Sequence, residues 1–205
     1  MDDFTSDLLR CQHDDPESIS DREIASVVFG LSFAGHETTT NLLSNTIRNL
    51  VSRPEVWQRL LADRSLIDNA IEEVLRFDSS VICWRRVTTK PVTLAGVDLP
   101  AGSRLLLLLG SANHDPEKFD DPSTFSLDRP DSSRHMALGK GIHFCLGAPL
   151  ARLQAHIVVE FLLERRPEIS LVPDQELRFP ENISFRGPLE LKVRAPLRQT
   201  ERAAG

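Results

Sequence analysis

The spacing of apolar residues is helical over long stretches of this chain and changes to that of strands between Val81 and Leu109. Residues 1–19 hold a short apolar-periodic piece, Phe4, Leu8 and Leu9, followed by a polar loop at 13–17. Ser20 and Glu23 have capping-box spacing, in which each side chain satisfies the other's backbone N–H, and they predict a long helix over 20–51. Its apolar residues, Ile24, Val27, Val28, Leu31, Phe33, Leu42, Leu43, Ile47 and Leu50, cover much of its circumference, so it is expected to be buried in a helical domain. Two more helices fill 55–77, one through Trp57, Leu60 and Leu61, the other with Ile67, Ala70, Ile71, Val74 and Leu75 on its apolar side. In the β region, 81–110, Val92-Thr93-Leu94 and Val97-Asp98-Leu99 flank Ala95-Gly96 as a hairpin, and Pro100-Ala101-Gly102 turns the chain into the run 105–109. Residues 113–134 are punctuated by proline and read as ordered coil with short helical turns. Leu146, Leu150, Leu153, Ile157, Phe161 and Leu162 predict a helix over 146–166. Short strands around 169–172, 183–185 and 189–193 close the chain, and 194–205 is expected to fray. The fold class is mainly α with small β-sheets, an α+β arrangement.

Composition narrows the function classes. The chain has 205 residues, 40% of them hydrophobic, enough for a substantial core. A net charge of −6, with no long Lys/Arg block, argues against a nucleic-acid partner. No apolar run approaches the length of a membrane span, and Met1-Asp2-Asp3 is acidic where a signal peptide is basic. The three cysteines, Cys11, Cys83 and Cys145, are widely separated and odd in number, which suits a reducing compartment, and a cytoplasmic protein is expected.

Two stretches carry candidate chemistry. Gly139, Gly141 and Gly147 make a loop that delivers Cys145 just ahead of a helical run, where free backbone N–H groups favour a thiolate and hence a soft metal ligand. A buried structural cysteine is the bland alternative, as it is for Cys83. A zinc site of His135, His143 and Cys145 lacks a fourth ligand and regular spacing. The second stretch, 34–40, is a poor sequence for an uninterrupted helix: glycine costs about 1 kcal/mol relative to alanine, and three threonines add β-branched strain. Ala34 and Gly35 would let a flat ligand approach the backbone, and the Thr38 hydroxyl could bond to the preceding turn or to a bound molecule; a solvated polar turn is the alternative.

The stretch 135–147 resembles the haem-ligand loop of the cytochrome P-450 family, matching it at Gly139, Gly141, His143, Cys145 and Gly147, with Leu138 where the family has an aromatic residue. The resemblance implies Cys145 as the thiolate ligand of a haem b iron, with Gly139, Gly141 and Gly147 shaping the loop and His143 on a haem propionate. His135 would join His143 or merely cap a turn. Ala34-Gly35-His36-Glu37-Thr38 is similar to the family's central-helix motif, which implies Ala34 and Gly35 beside the haem and Glu37 with Thr38 as the acid–alcohol pair of a proton relay. Glu73-x-x-Arg76, completed by Arg129, matches the family's structural triad, and Arg86, or Arg85 one residue off, its propionate-binding arginine. Ser80 stands where the family commonly has proline, in a stretch that lines the substrate pocket.

By this resemblance the chain corresponds to the C-terminal half of the cytochrome P-450 fold, with the N-terminal half missing or supplied by a complementing chain. The implied activity is monooxygenation of a small apolar substrate. A separate ferredoxin or flavodoxin-type donor is implied because no Gly-x-Gly-x-x-Gly nucleotide-binding unit is present. The surface around Arg134, Lys140 and Arg152 is the expected dock. A haem-binding module without oxygenase turnover and an inactive truncated fragment are the alternatives.

Overall fold

The computed structural model describes residues 3–196, so the last nine positions of the expected tail lie outside the described residues. Backbone contacts divide the chain into two units, Met1–Thr39 and Thr40–Gly205.

In the first unit, helix α1 (Phe4–Asp14) is capped by the Asp3 carboxylate, which accepts from the Ser6 N–H at 2.9 Å. Helix α2 (Asp21–Val51) opens with the reciprocal bonds expected of Ser20 and Glu23: the Ser20 N–H donates to Glu23 Oε2 at 2.9 Å, and the Glu23 N–H to Ser20 Oγ at 3.3 Å. The helix runs through Gly35 without a break. Its poor helix formers are absorbed by back-bonding hydroxyls, Ser26 to the Arg22 carbonyl, Ser32 to Val28 and Thr38 to Ala34, each four residues back. The expected burial of this stretch does not hold within the unit. Val27, Phe29, Leu31 and Phe33 are exposed and Ile24 alone is buried among the described residues, because α1 brings no buried residue of its own against them.

The second unit contains the main core. Helix α3 (Pro54–Ala62) starts on proline, whose missing N–H costs nothing there. Helix α4 (Ile67–Phe77) and helix α6 (Ala148–Arg165) follow, with the short α5 (Leu109–Ala112) between them. Leu42, Leu50, Trp57, Leu60, Ile71, Val74, Val159 and Leu163 pack together, and Trp57 Nε1 donates to the Pro167 carbonyl at 2.8 Å. The seam of α6 is Ala148, Ala155, Val159 and Leu163, whereas the larger side chains of the predicted periodicity, Leu146, Leu150, Leu153, Ile157 and Phe161, are exposed. α6 is therefore apolar on two faces and covered on one.

Among the described residues, three two-stranded antiparallel sheets complete the unit. Strand β1 (Trp84–Val87) pairs with β4 (Arg104–Leu107), β2 (Val92–Leu94) with β3 (Val97–Leu99), and β5 (Ser170–Leu171) with β6 (Val193–Arg194). The β2–β3 turn has positive φ at both Ala95 and Gly96, the handedness a two-residue hairpin needs. The strand expected at 183–185 is reduced to a bridge between Val81 and Phe185.

Helix α4 also buries its polar side. Asn69, Glu72, Glu73 and Arg76 stand at i, i+3, i+4 and i+7, one helical face. Glu73 and Arg76 have no exposed side-chain surface. The Glu73 carboxylate accepts from Arg76 Nε at 2.7 Å and Nη2 at 2.8 Å, from Arg129 Nε at 3.2 Å and from the Ser126 N–H at 3.0 Å. Both guanidinium groups then donate to backbone carbonyls: Arg76 to Asn113, Pro122 and Thr124, Arg129 to Asp120, Asp121 and Thr124. Replacing Glu73 by alanine strands two buried cations, so we expect a loss of about 3–5 kcal/mol in urea unfolding of the chain. A loss below about 1 kcal/mol would show that the arginines are satisfied by carbonyls alone.

Candidate functional site

The loop carrying Cys145 is built from short backbone bonds. The Met136 N–H donates to Asn113 Oδ1 at 2.6 Å, the Gly139 N–H to the Met136 carbonyl at 3.0 Å, and the Cys145 N–H to the Leu138 carbonyl at 2.9 Å. A 3₁₀ turn, Gly141–His143, reverses the chain between them. Gly139 and Gly141 have φ of 73° and 67°, which side-chain-bearing residues rarely adopt, and a Cβ at Gly139 would also lie 3.2 Å from the His143 carbonyl oxygen. Gly147 differs. It caps α6 with φ of −80°, and a Cβ there would make an ordinary contact of 3.9 Å with Cys145 Sγ. Cys145 therefore sits in the turn ahead of α6, where the Ala148 N–H donates to its carbonyl at 3.2 Å, rather than in the helix's first turn.

Cys145 is exposed, and its neighbours along the chain are apolar. Ile142 is 96% and Leu146 87% exposed, and Phe144 is exposed as well. His143 is exposed, and Arg86, half-buried on β1, donates to the neighbouring Arg85 carbonyl at 2.9 Å. Cys83 is buried.

His135 has a different setting. It is buried, its Nδ1 accepts from the Ala137 N–H at 3.2 Å, and its Nε2 lies 3.3 Å from Glu72 Oε2. The ring thus caps a turn with one nitrogen and turns the other to a carboxylate. Glu72 also receives Arg152, Nε at 2.5 Å on Oε1 and Nη2 at 3.0 Å on Oε2. Burial would raise the Glu72 pKa, but the contacts with Arg152 and His135 prevail and hold it at about 2. The hydrogen bonds with Glu72 keep Arg152 even more firmly protonated than usual, against the opposing effect of burial, and the Cys145 sulfur adds to that attraction. Among the described residues no group of three or more His, Cys, Asp and Glu could hold a metal ion, so the zinc arrangement of His135, His143 and Cys145 is not formed.

In the first unit Glu37 and Thr38 are half-buried, and Ala34 and Gly35 are exposed. Thr38 Oγ1 donates to the Ala34 carbonyl at 2.6 Å. A Cβ at Gly35 would meet nothing within 4 Å, so the helix surface is open there.

Residues 1–185 match the family model described as Cytochrome P450. The chain belongs to the cytochrome P450 family. It is 42% identical over 194 residues to the cytochrome P450 monooxygenase PikC of Streptomyces venezuelae, covering 94% of this chain and 46% of PikC. It is 39% identical over 191 residues to the biotin biosynthesis cytochrome P450 of Bacillus subtilis (strain 168), covering 93% of this chain and 47% of that one. Among solved structures, cytochrome P450 CREJ in complex with (4-ethylphenyl) dihydrogen phosphate superimposes with a TM-score of 0.92 at 43% identity, over 96% of this chain and 48% of CREJ. The chain thus spans about half the length of the curated relatives it matches. No helix among the described residues is long and apolar enough to cross a membrane.

The cofactor of cytochrome P450 proteins is a haem iron. The residues present fit such a group: the exposed Cys145 thiol would offer a soft sulfur donor, and the exposed apolar side chains next to it along the chain suit a flat apolar ring. His143 and Arg86 carry polar nitrogens of the kind that bind its carboxylates.

Glu72 and Asn69 escape a reading of α4 by its apolar side. The available signal was four polar residues sharing one helical face, too regular a stripe for a merely solvated surface. Because the Glu72 pKa is depressed in the folded chain, its stabilising effect is complete above the ordinary glutamate value of 4.5 and is lost as pH falls through about 2. Thermal midpoints measured from pH 6 down to roughly pH 2 should fall less for Glu72→Gln than for the parent across that window. Parallel curves would show that Glu72 gains nothing from Arg152 and His135.

Proposed function

We propose that this chain is the cysteine-ligand half of a haem-thiolate monooxygenase that places one oxygen atom from O2 into an apolar organic substrate. The observation that carries this reading is the exposed Cys145 thiol on a loop held by two left-handed glycines, in a chain whose fold follows cytochrome P450 CREJ at a TM-score of 0.92. Bound through Cys145, the haem would supply oxygen activation, helped by electron donation from the thiolate. The chain's own residues would do the rest. His143 and Arg86 would anchor the propionates, and Gly139 and Gly141 would keep the loop thin enough for the ring to lie against it. Ala34 and Gly35 would give the ring and substrate room, and Thr38 with Glu37 would hold and pass protons. In the structure the Thr38 hydroxyl spends its proton on the Ala34 carbonyl, which leaves its oxygen lone pairs to accept one from a water or substrate.

Electrons would come from a ferredoxin or flavodoxin-type protein. Arg134 and Lys140 are exposed and suit an acidic partner, whereas Arg152 is paired with Glu72 and contributes less than its sequence position implies. The exposed stripe Leu146, Leu150, Leu153, Ile157 and Phe161 fits the remainder of the fold, joined to this chain or supplied as a complementing half. With that remainder absent, the same features support a haem-binding module without turnover.

Cys145→Ala should abolish the strongly red-shifted Soret band of the ferrous carbon monoxide complex in the haem-loaded protein; a mutant that kept the band would refute the ligand assignment. Thr38→Ala should leave that band intact and, in the assembled enzyme, lower the product formed per electron consumed. Equal coupling in mutant and parent would remove Thr38 from the proton path.

A further inference from the structure

We infer that Glu72 is a positioning residue for Cys145, gripping both ends of the ligand loop with one carboxylate. The inference rests on the reading of Cys145 as haem ligand, but the grip itself is a matter of geometry. His135 stands ten positions before Cys145 and Arg152 seven after it, and both converge on Glu72 from outside the loop. His135 Nδ1 accepts from the Ala137 N–H, which turns the other ring nitrogen, Nε2, towards Glu72, 3.3 Å from Oε2 and short of a formed hydrogen bond. Arg152 uses its Nε and one Nη, so its guanidinium is fixed in plane as well as in distance. The Glu72 side chain is 14% exposed and that of His135 2%, so water competes poorly for these contacts.

Among the described residues the loop's apolar anchors are at its entry, where Ala137 is buried in the core and Leu138 packs against it. Its internal bonds, Gly139 to Met136 and Cys145 to Leu138, set its shape but not its place on α4. One further polar tether is Asn113 Oδ1 on the Met136 N–H, at the same end as His135. On the far side, Arg152 is the polar link nearest to Cys145 between α6 and α4. The pairing of the two helices does not depend on it. Ile71, Val74, Val159 and Leu163 share the core, and Asp68 meets His156 at 2.7 Å one turn further along. Glu72 can therefore be removed without separating the helices, and what is lost is the placement of the loop.

Adjacent carboxylates on α4 thus divide the work. Glu73 fixes the coil that leads to the loop, and Glu72 fixes the loop at its entry and exit.

The test uses the full chain with Glu72→Gln, and Asp68→Asn as a control that removes an α4–α6 bridge lying outside the loop. In the haem-free protein, amide hydrogen exchange at Gly139 and Cys145 should become about tenfold faster in Glu72→Gln, as expected for losing a charged, partly buried hydrogen-bond pair. Exchange at Val74 and Val159 should be unchanged, and Asp68→Asn should leave the loop at parental rates. After haem loading, the ferrous carbon monoxide spectrum of Glu72→Gln should shift intensity from the red-shifted to the unshifted Soret band, with Asp68→Asn like the parent. Equal acceleration at all four amides, or none, overturns the grip. A faster loop with an unaltered spectrum overturns its importance for ligation. If the parent itself lacks the red-shifted band, the reading of Cys145 as ligand fails, while the exchange rates still decide whether Glu72 holds the loop.

Discussion

A carboxylate shut away from water needs full compensation, and Glu73 receives it from two guanidinium groups and a backbone N–H. Those cations are in turn too charged to be buried with one partner, and the coil between Asn113 and Arg129 supplies the carbonyls they lack. This explains how a stretch with little regular structure is ordered: its backbone acceptors are spent on side chains instead of on a sheet or helix. The coil ends where the cysteine loop begins, so the polar centre of α4 sets the starting point of the site.

The apolar contribution has the opposite character, plentiful and one-sided. α6 sends its small and β-branched residues, Ala148, Ala155 and Val159, into the core, and shows Leu150, Leu153, Ile157 and Phe161 outward. Close helix packing explains the inner choice, since α4 can approach only a slim surface. The outer residues are large and aligned, a surface suited to a second layer, and the chain covers less than half of PikC. Val27 and Leu31, one turn apart on the first part of α2, are exposed as well.

Much of the local structure was legible because it is locally encoded. The capping box at Ser20 and Glu23, the Ala95-Gly96 turn and the proline start of α3 each follow from residues within a few positions of one another. The glycines at 139 and 141 announced a left-handed loop for the same reason, whereas at 147 the residue type overstated the need. What periodicity did not reveal was burial. It marks an apolar face without saying what covers it, and so it treated Leu31 and Leu42 alike although one is exposed and the other buried. Nor did it weigh a polar face as a packing surface: Asn69 and Glu72 have partners 58 and 80 positions away, beyond any window of helical spacing. His135 shows the resulting ambiguity, since its closeness in sequence to Cys145 hid a closer partner on another helix.

The polar face of α4 has one more consequence, for how such a chain can change over time. Four side chains at fixed steps serve the coil, the loop and α6 at once, and a single inserted or deleted residue within the helix would turn part of that face by about 100°. The length from Asn69 to Arg76 is therefore frozen, while the hairpin at Ala95-Gly96 is free to grow or shrink. Variation between descendants of this fold should collect in exposed turns and avoid that single helical span.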